Sequence, residues 1–222
     1  MMKALFAGAA TLALAAAANA SFSGISWNES KVGDKCVADI YATFSTTDDV
    51  LLNIFNANVT VEGGFGSLIH NDFVGGSWAP QFSSNPAMDS FCVIGGQANF
   101  GNSTNADPNW GAAGFNQIAI PANAGWFNSN PPNLQGKAAN VTLVKKDGSV
   151  NYTGAATWIM RLVFDNAPKA FSIAGGYTNN QGLGTPGVQG TFSFSQVLCI
   201  PAPGALALLG LAGLAGGRRR RA

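Results

Sequence analysis

The chain has 222 residues, with 12 Lys and Arg, 11 Asp and Glu, and a formal net charge of +1. Only 10% of residues are charged, against about 25% in an ordinary soluble domain, and 28 Gly and 15 Phe accompany them. This excludes a disordered polyelectrolyte, gives no electrostatic pull toward nucleic acid, and leaves enough chain for one large β domain or two small domains with a buried core.

The charge is unevenly placed. Lys3 stands at the start and Arg218, Arg219, Arg220 and Arg221 at the end, so residues 21–200 hold seven basic residues against all 11 acids and carry −4. Residues 1–20 have the parts of a secretory signal peptide: Lys3, an apolar run over 4–18, and Ala18-Asn19-Ala20. Small side chains at Ala18 and Ala20 fit the two tight pockets of a signal peptidase, which would cut after Ala20 and commit the chain to Sec export.

Residues 21–200 form the exported domain, and their pattern predicts strands. Residues 36–44 put Ile40, Ala42 and Phe44 on one face, 50–61 are mostly apolar, and 91–94 form a short apolar run. Residues 140–146 and 149–153 flank Asp147-Gly148, a dipeptide suited to a type I′ hairpin turn. Residues 157–164 are apolar on both faces apart from Arg161, as in a central strand, with Trp158 in the core. Residues 191–198 alternate. With Glu only at positions 29 and 62 and no sustained helical period, the expected fold is all-β. We expect a single antiparallel β-sandwich or jelly-roll-like domain, with a solenoid as the less favoured architecture. Residues 98–132 read as long loops, where binding residues usually sit.

Three cysteines enter an oxidising compartment. Cys36 with Cys92 is the favoured pair, because Cys199 abuts the tail, and closing that loop stabilises by roughly 4 kcal/mol. Cys36 with Cys199, joining the first and last strands, is the alternative.

Candidate chemistry is sparse. His70 is the one histidine, there is no His-Glu-x-x-His or Gly-x-Ser-x-Gly motif, and no carboxylate pair is marked among Asp48, Asp49, Glu62, Asp72 and Asp89. Gly182-Leu-Gly-Thr-Pro-Gly187 has dinucleotide-loop spacing, but Pro186 and a following strand make it a turn. Asn105, Asp107 and Asn109 alternate oxygen donors yet lack a bidentate Glu, so they read as an Asn/Asp turn cluster rather than a calcium loop. No catalytic residue, metal set or cofactor is expected, and a secreted hydrolase is a remote alternative. Trp78, Trp110 and Trp126 lie in Gly/Asn/Pro-rich loops, where exposed indoles would stack on sugar rings; this gives a carbohydrate-binding module as the second functional reading, weighed against tryptophans folded back over the core.

The end of the chain is the most specific feature. Pro201-Ala202-Pro203 precedes a Leu/Ala/Gly segment over 204–217 and then the four arginines. Fourteen helical residues span about 21 Å, short of about 30 Å of bilayer hydrocarbon. Prolonging the helix to Pro203 and snorkelling arginines would narrow the gap, with the arginines on the cytoplasmic side. Residues 201–222 resemble a PEP-CTERM sorting signal, with Ala202 where the family usually has Glu. The resemblance implies a Gram-negative-type bacterium, brief anchoring in the inner membrane with the domain outside, and processing near Pro201 and Pro203 by an exosortase-like transpeptidase. It also implies a final location at the cell surface or in an extracellular matrix, associated with exopolysaccharide. The expected role is structural or adhesive, with no enzymatic activity of its own.

Overall fold

The computed structural model describes residues 21–200. The signal segment with Ala18 and Ala20, and the tail with Pro201, Ala202, Pro203 and Arg218 to Arg221, lie outside the described residues. Among those described, no helix is long and apolar enough to cross a membrane.

Among the described residues the fold is all-β, with every pairing antiparallel. Ten strands run in order as β1 (Phe22–Val32), β2 (Lys35–Phe44), β3 (Val50–Val61), β4 (Phe91–Cys92), β5 (Thr104–Ala106), β6 (Ala124–Asn128), β7 (Ala139–Val144), β8 (Val150–Asp165), β9 (Lys169–Asn180) and β10 (Val188–Leu198). One sheet has the order β1-β2-β8-β4, with β7 also paired to β8; the other has the order β10-β9-β3-β6-β5. A single hydrophobic cluster draws Ile40, Ala42 and Phe44 from β2, Ile159 and Leu162 from β8, Ile54 and Val59 from β3, and Ile173 from β9. The two sheets share that core, the solution open to sheets with one apolar face each.

β8 is the central strand its sequence predicts, lying between β2 and the β4/β7 side and largely buried on both faces. Its polar interruption is satisfied. Arg161 donates to both Asp39 carboxylate oxygens, at 2.7 and 2.9 Å, and to the Pro86 carbonyl at 2.7 Å. Trp158 is half-buried rather than in the core; its ring lies 4.8 Å under the Arg161 guanidinium and edge-on to Phe91. The side chain shields a cation instead of filling the sandwich.

The β7–β8 hairpin forms where Asp147-Gly148 stands, but its turn differs from the expected type I′. Gly148 N–H donates to Lys145 C=O, and only Gly148 has a positive φ, of 81°. That is a type I turn closed by a left-handed glycine, and the register shift beside Val144 is its bulge. Gly182–Gly187 is indeed a turn, joining β9 to β10. In the other sheet Phe55 lies across Gly176, its cross-strand partner, where a Cβ would sit 2.3 Å from the ring.

The cysteine pairing is Cys36 with Cys199, 163 residues apart in sequence; Cys92 is free and buried. The favoured Cys36–Cys92 pair is therefore incorrect. Cys92 pairs in register with Met160 on β8, while the end of β10 brings Cys199 to Cys36 on β2. Glu29 locks this junction: its carboxylate accepts from the Cys199 and Lys146 backbone N–H groups and from the Trp27 indole.

Candidate functional site

The three tryptophans proposed for sugar stacking do not reach the surface. Trp78, Trp110 and Trp126 are at most 1% exposed. Each indole N–H is satisfied by a backbone carbonyl: Trp78 by Gln117 at 3.0 Å, Trp110 by Gly125 at 2.7 Å and Trp126 by Val93 at 3.2 Å. Burial of a large ring with its polar edge satisfied pins the irregular segments around Trp78 and Trp110 onto the sheets, while Trp126 stands within β6 rather than in a loop. The sugar-stacking alternative for the three residues is overturned, and burial over the core is what the fold shows.

The exposed aromatics are phenylalanines. A cleft of about 700 Å³ opens beside β5 and β6, lined by Gln81, Phe82, Phe100, Asn105, Asn116 and Phe127 among others. Phe100 is 74% exposed, and its ring stacks on exposed Phe73 at 6.0 Å. Leaving such rings in water costs hydrophobic free energy that a folded domain normally avoids. The cleft floor is held firmly: Gln81 donates to the carbonyls of Asn102 and Thr104, and buried Trp110 packs edge-on against Phe115. Aromatic faces and exposed amides thus stand together on a rigid base.

The remaining candidates resolve individually. The Asp107 carboxylate accepts from Asn109 N–H and caps the short turn 108–110, while the Asn109 amide donates to Asn123 C=O. Asp107 and Asn109 thus form the expected turn, whereas Asn105 stands in β5 and faces the cleft. Burial pushes the Cys92 thiol well up, so it stays protonated and does not serve as a nucleophile. Asp39 and Glu29 are consumed in the ion pair and the strand junction described above.

Sequence reasoning did not group His70, Asp72 and Asp89, yet the fold does. Ile69 N–H donates to Val163 C=O on β8 and Ser90 N–H donates to Ile69 C=O, so the segments around residues 69 and 90 run side by side. One donor atom from each of the three side chains lies within 4.8 Å of the others, with His70 Nδ1 3.6 Å from Asp89 Oδ1. Asp89 is fully buried, which keeps it from reaching across a glycosidic bond as a hydrolytic carboxylate must.

No family model, curated protein or solved structure matches the chain.

Proposed function

We propose that the chain is an exported cell-surface or extracellular-matrix component whose β domain holds neutral polysaccharide in the Phe82/Phe100 cleft. The observation that carries this reading is the coexistence of exposed phenylalanine rings with the exposed amides of Asn105 and Asn116 in one cleft. Apolar C–H faces of sugar rings stack on aromatic rings while amides bond hydroxyls. The groups lining this cleft offer binding chemistry rather than the paired carboxylates of glycoside hydrolysis.

Export is supported by the character of the two ends and by a Cys36–Cys199 pair suited to an oxidising compartment. In this reading Sec export and signal peptidase remove residues 1–20. The tail then pauses the protein in the inner membrane until an exosortase-like transpeptidase cuts near Pro201 and Pro203 and supplies the nucleophile itself.

Affinity electrophoresis of the full chain in gels containing the host's exopolysaccharide tests the binding role. Retardation is expected, weakened roughly fivefold or more by Phe100→Ala, whose exposed ring adds nothing to the core. No retardation of the wild type overturns it. Intact mass of protein from its native host tests the sorting: recovery with residues 201–222 still attached overturns that part alone.

A further inference from the structure

We propose that His70, Asp72 and Asp89 form a binding site for one divalent first-row transition-metal ion, of the Zn²⁺ or Mn²⁺ class. Three observations meet at this place. One donor atom from each side chain lies within 4.8 Å of the other two. Asp89 is fully buried and its Oδ2 has no hydrogen-bond partner, while its Oδ1 accepts from Asn71 N–H at 2.8 Å. Both ring nitrogens of His70 are also buried and without a partner.

An uncompensated carboxylate oxygen and two unsatisfied imidazole nitrogens in one spot are costly, because each has given up water for nothing. A cation removes the larger part of that cost, accepting lone pairs from one imidazole nitrogen and from both carboxylates. An ion pair between His70 and Asp89 alone would leave Asp72 outside the cluster.

The surroundings orient the donors toward one another. Asp72 Oδ2 accepts from the Gly76 and Ser77 N–H groups at 2.9 and 3.0 Å, and Oδ1 accepts from Val74 N–H at 2.7 Å. These bonds orient the carboxylate as outer-sphere partners do in established metal sites, and Oδ1, with a single donor, keeps a lone pair for an ion. The His70 ring is clamped edge-on against Trp78 at 4.7 Å. Donors bound at about 2.1 Å to a tetrahedral ion stand about 3.4 Å apart, so the three side chains close by roughly an ångström on binding.

The donor set points to the metal class. Imidazole suits Zn²⁺ and its neighbours, whereas carboxylates alone suit Ca²⁺ and Mg²⁺; one nitrogen with two oxygens selects a borderline ion. The bound ion would stiffen the 72–77 turn, which carries Phe73, and Phe73 N–H donates to Phe82 C=O at 2.9 Å. The site thereby supports one rim of the phenylalanine cleft. It stands whether or not that cleft binds sugar.

The test is calorimetric titration of the untagged, chelator-treated full chain with ZnCl₂ and MnCl₂, with CaCl₂ and MgCl₂ alongside. Tryptophan fluorescence is followed in the same samples. One equivalent of Zn²⁺ or Mn²⁺ is expected to bind saturably and change that emission through the Trp78 ring packed on His70, a change that Trp78→Phe abolishes. His70→Gln and Asp89→Asn are each expected to weaken it roughly tenfold or more, and exposed Asp34→Asn to leave it unchanged. His70→Gln decides the matter if Asp89→Asn does not fold, because the His70 ring nitrogens bond no other group. Absence of saturable binding to the wild type at up to about 1 mM ion, or unchanged affinity in His70→Gln, overturns the site.

Discussion

Replacing both Cys36 and Cys199 by serine removes the one covalent link between the start of β2 and the end of β10. The bridged residues are 163 apart in sequence. On the chain-entropy model a loop of that length denies the unfolded chain about 17 cal/mol/K, which is about 5 kcal/mol at room temperature. This is a large share of the 5–15 kcal/mol that typically separates folded from unfolded domains. With a urea slope of roughly 2 kcal/mol/M, the midpoint falls by about 2.5 M. The assay is equilibrium urea unfolding of the wild type, oxidised and reduced, beside the double variant and Cys92→Ser. Reduced wild type and the double variant should coincide, and Cys92→Ser should keep its full sensitivity to reductant, because Cys92 is a buried free thiol. A reductant shift below about 0.5 M, or non-reducing peptide maps that link Cys36 to Cys92, refutes the reasoning.

Two further outcomes follow from charge placement. Asp39→Ala strands the mostly buried Arg161 guanidinium without its anion and should cost about 3 kcal/mol in denaturant unfolding; Asp39→Leu with Arg161→Met should regain most of that loss. Burial first, with the Asp39 charge adding to it, pushes the Tyr41 phenol up to about 12 from an ordinary 10.0. The unfolded chain therefore loses its proton first, and stability falls as pH rises from about 10 to 12. Tyr41→Phe should flatten that fall when unfolding free energy is measured across the window. Tyr152 and Tyr177, also raised by burial, supply the slope that remains.

Strands that bury alternate or continuous apolar residues were legible in the sequence. β2, β3, β8 and β10 fall where the patterns of 36–44, 50–61, 157–164 and 191–198 put them. β1 escaped because it is an edge strand whose FSGISWNESKV sequence mixes polar and apolar residues without a clean period. β9 escaped because Gly175 and Gly176 interrupt its run; only the fold shows that Gly176 makes room for Phe55.

The site was less legible for a related reason. A tryptophan among Gly, Asn and Pro looks exposed until the carbonyl that receives its indole N–H is known, and those carbonyls come from 15 to 39 residues away. The phenylalanines of the cleft come from residues 82, 100, 115 and 127, and the three proposed metal donors from two separate loops. No local spacing records either meeting.

The Cys36–Cys199 link also has a mechanical meaning. β10 is an edge strand, and tension on its last residue would by itself peel the strand from β9 one hydrogen-bonded pair at a time, a weak geometry. The crosslink lies at Cys199, just beyond Leu198, so a pull arriving through Ile200 passes into β2, an inner strand of the opposite sheet flanked by β1 and β8. There the ladders on both sides would have to give way together. A domain tethered or dragged by its carboxyl end, as on a cell surface under flow, would transmit force through its middle and keep its edge closed.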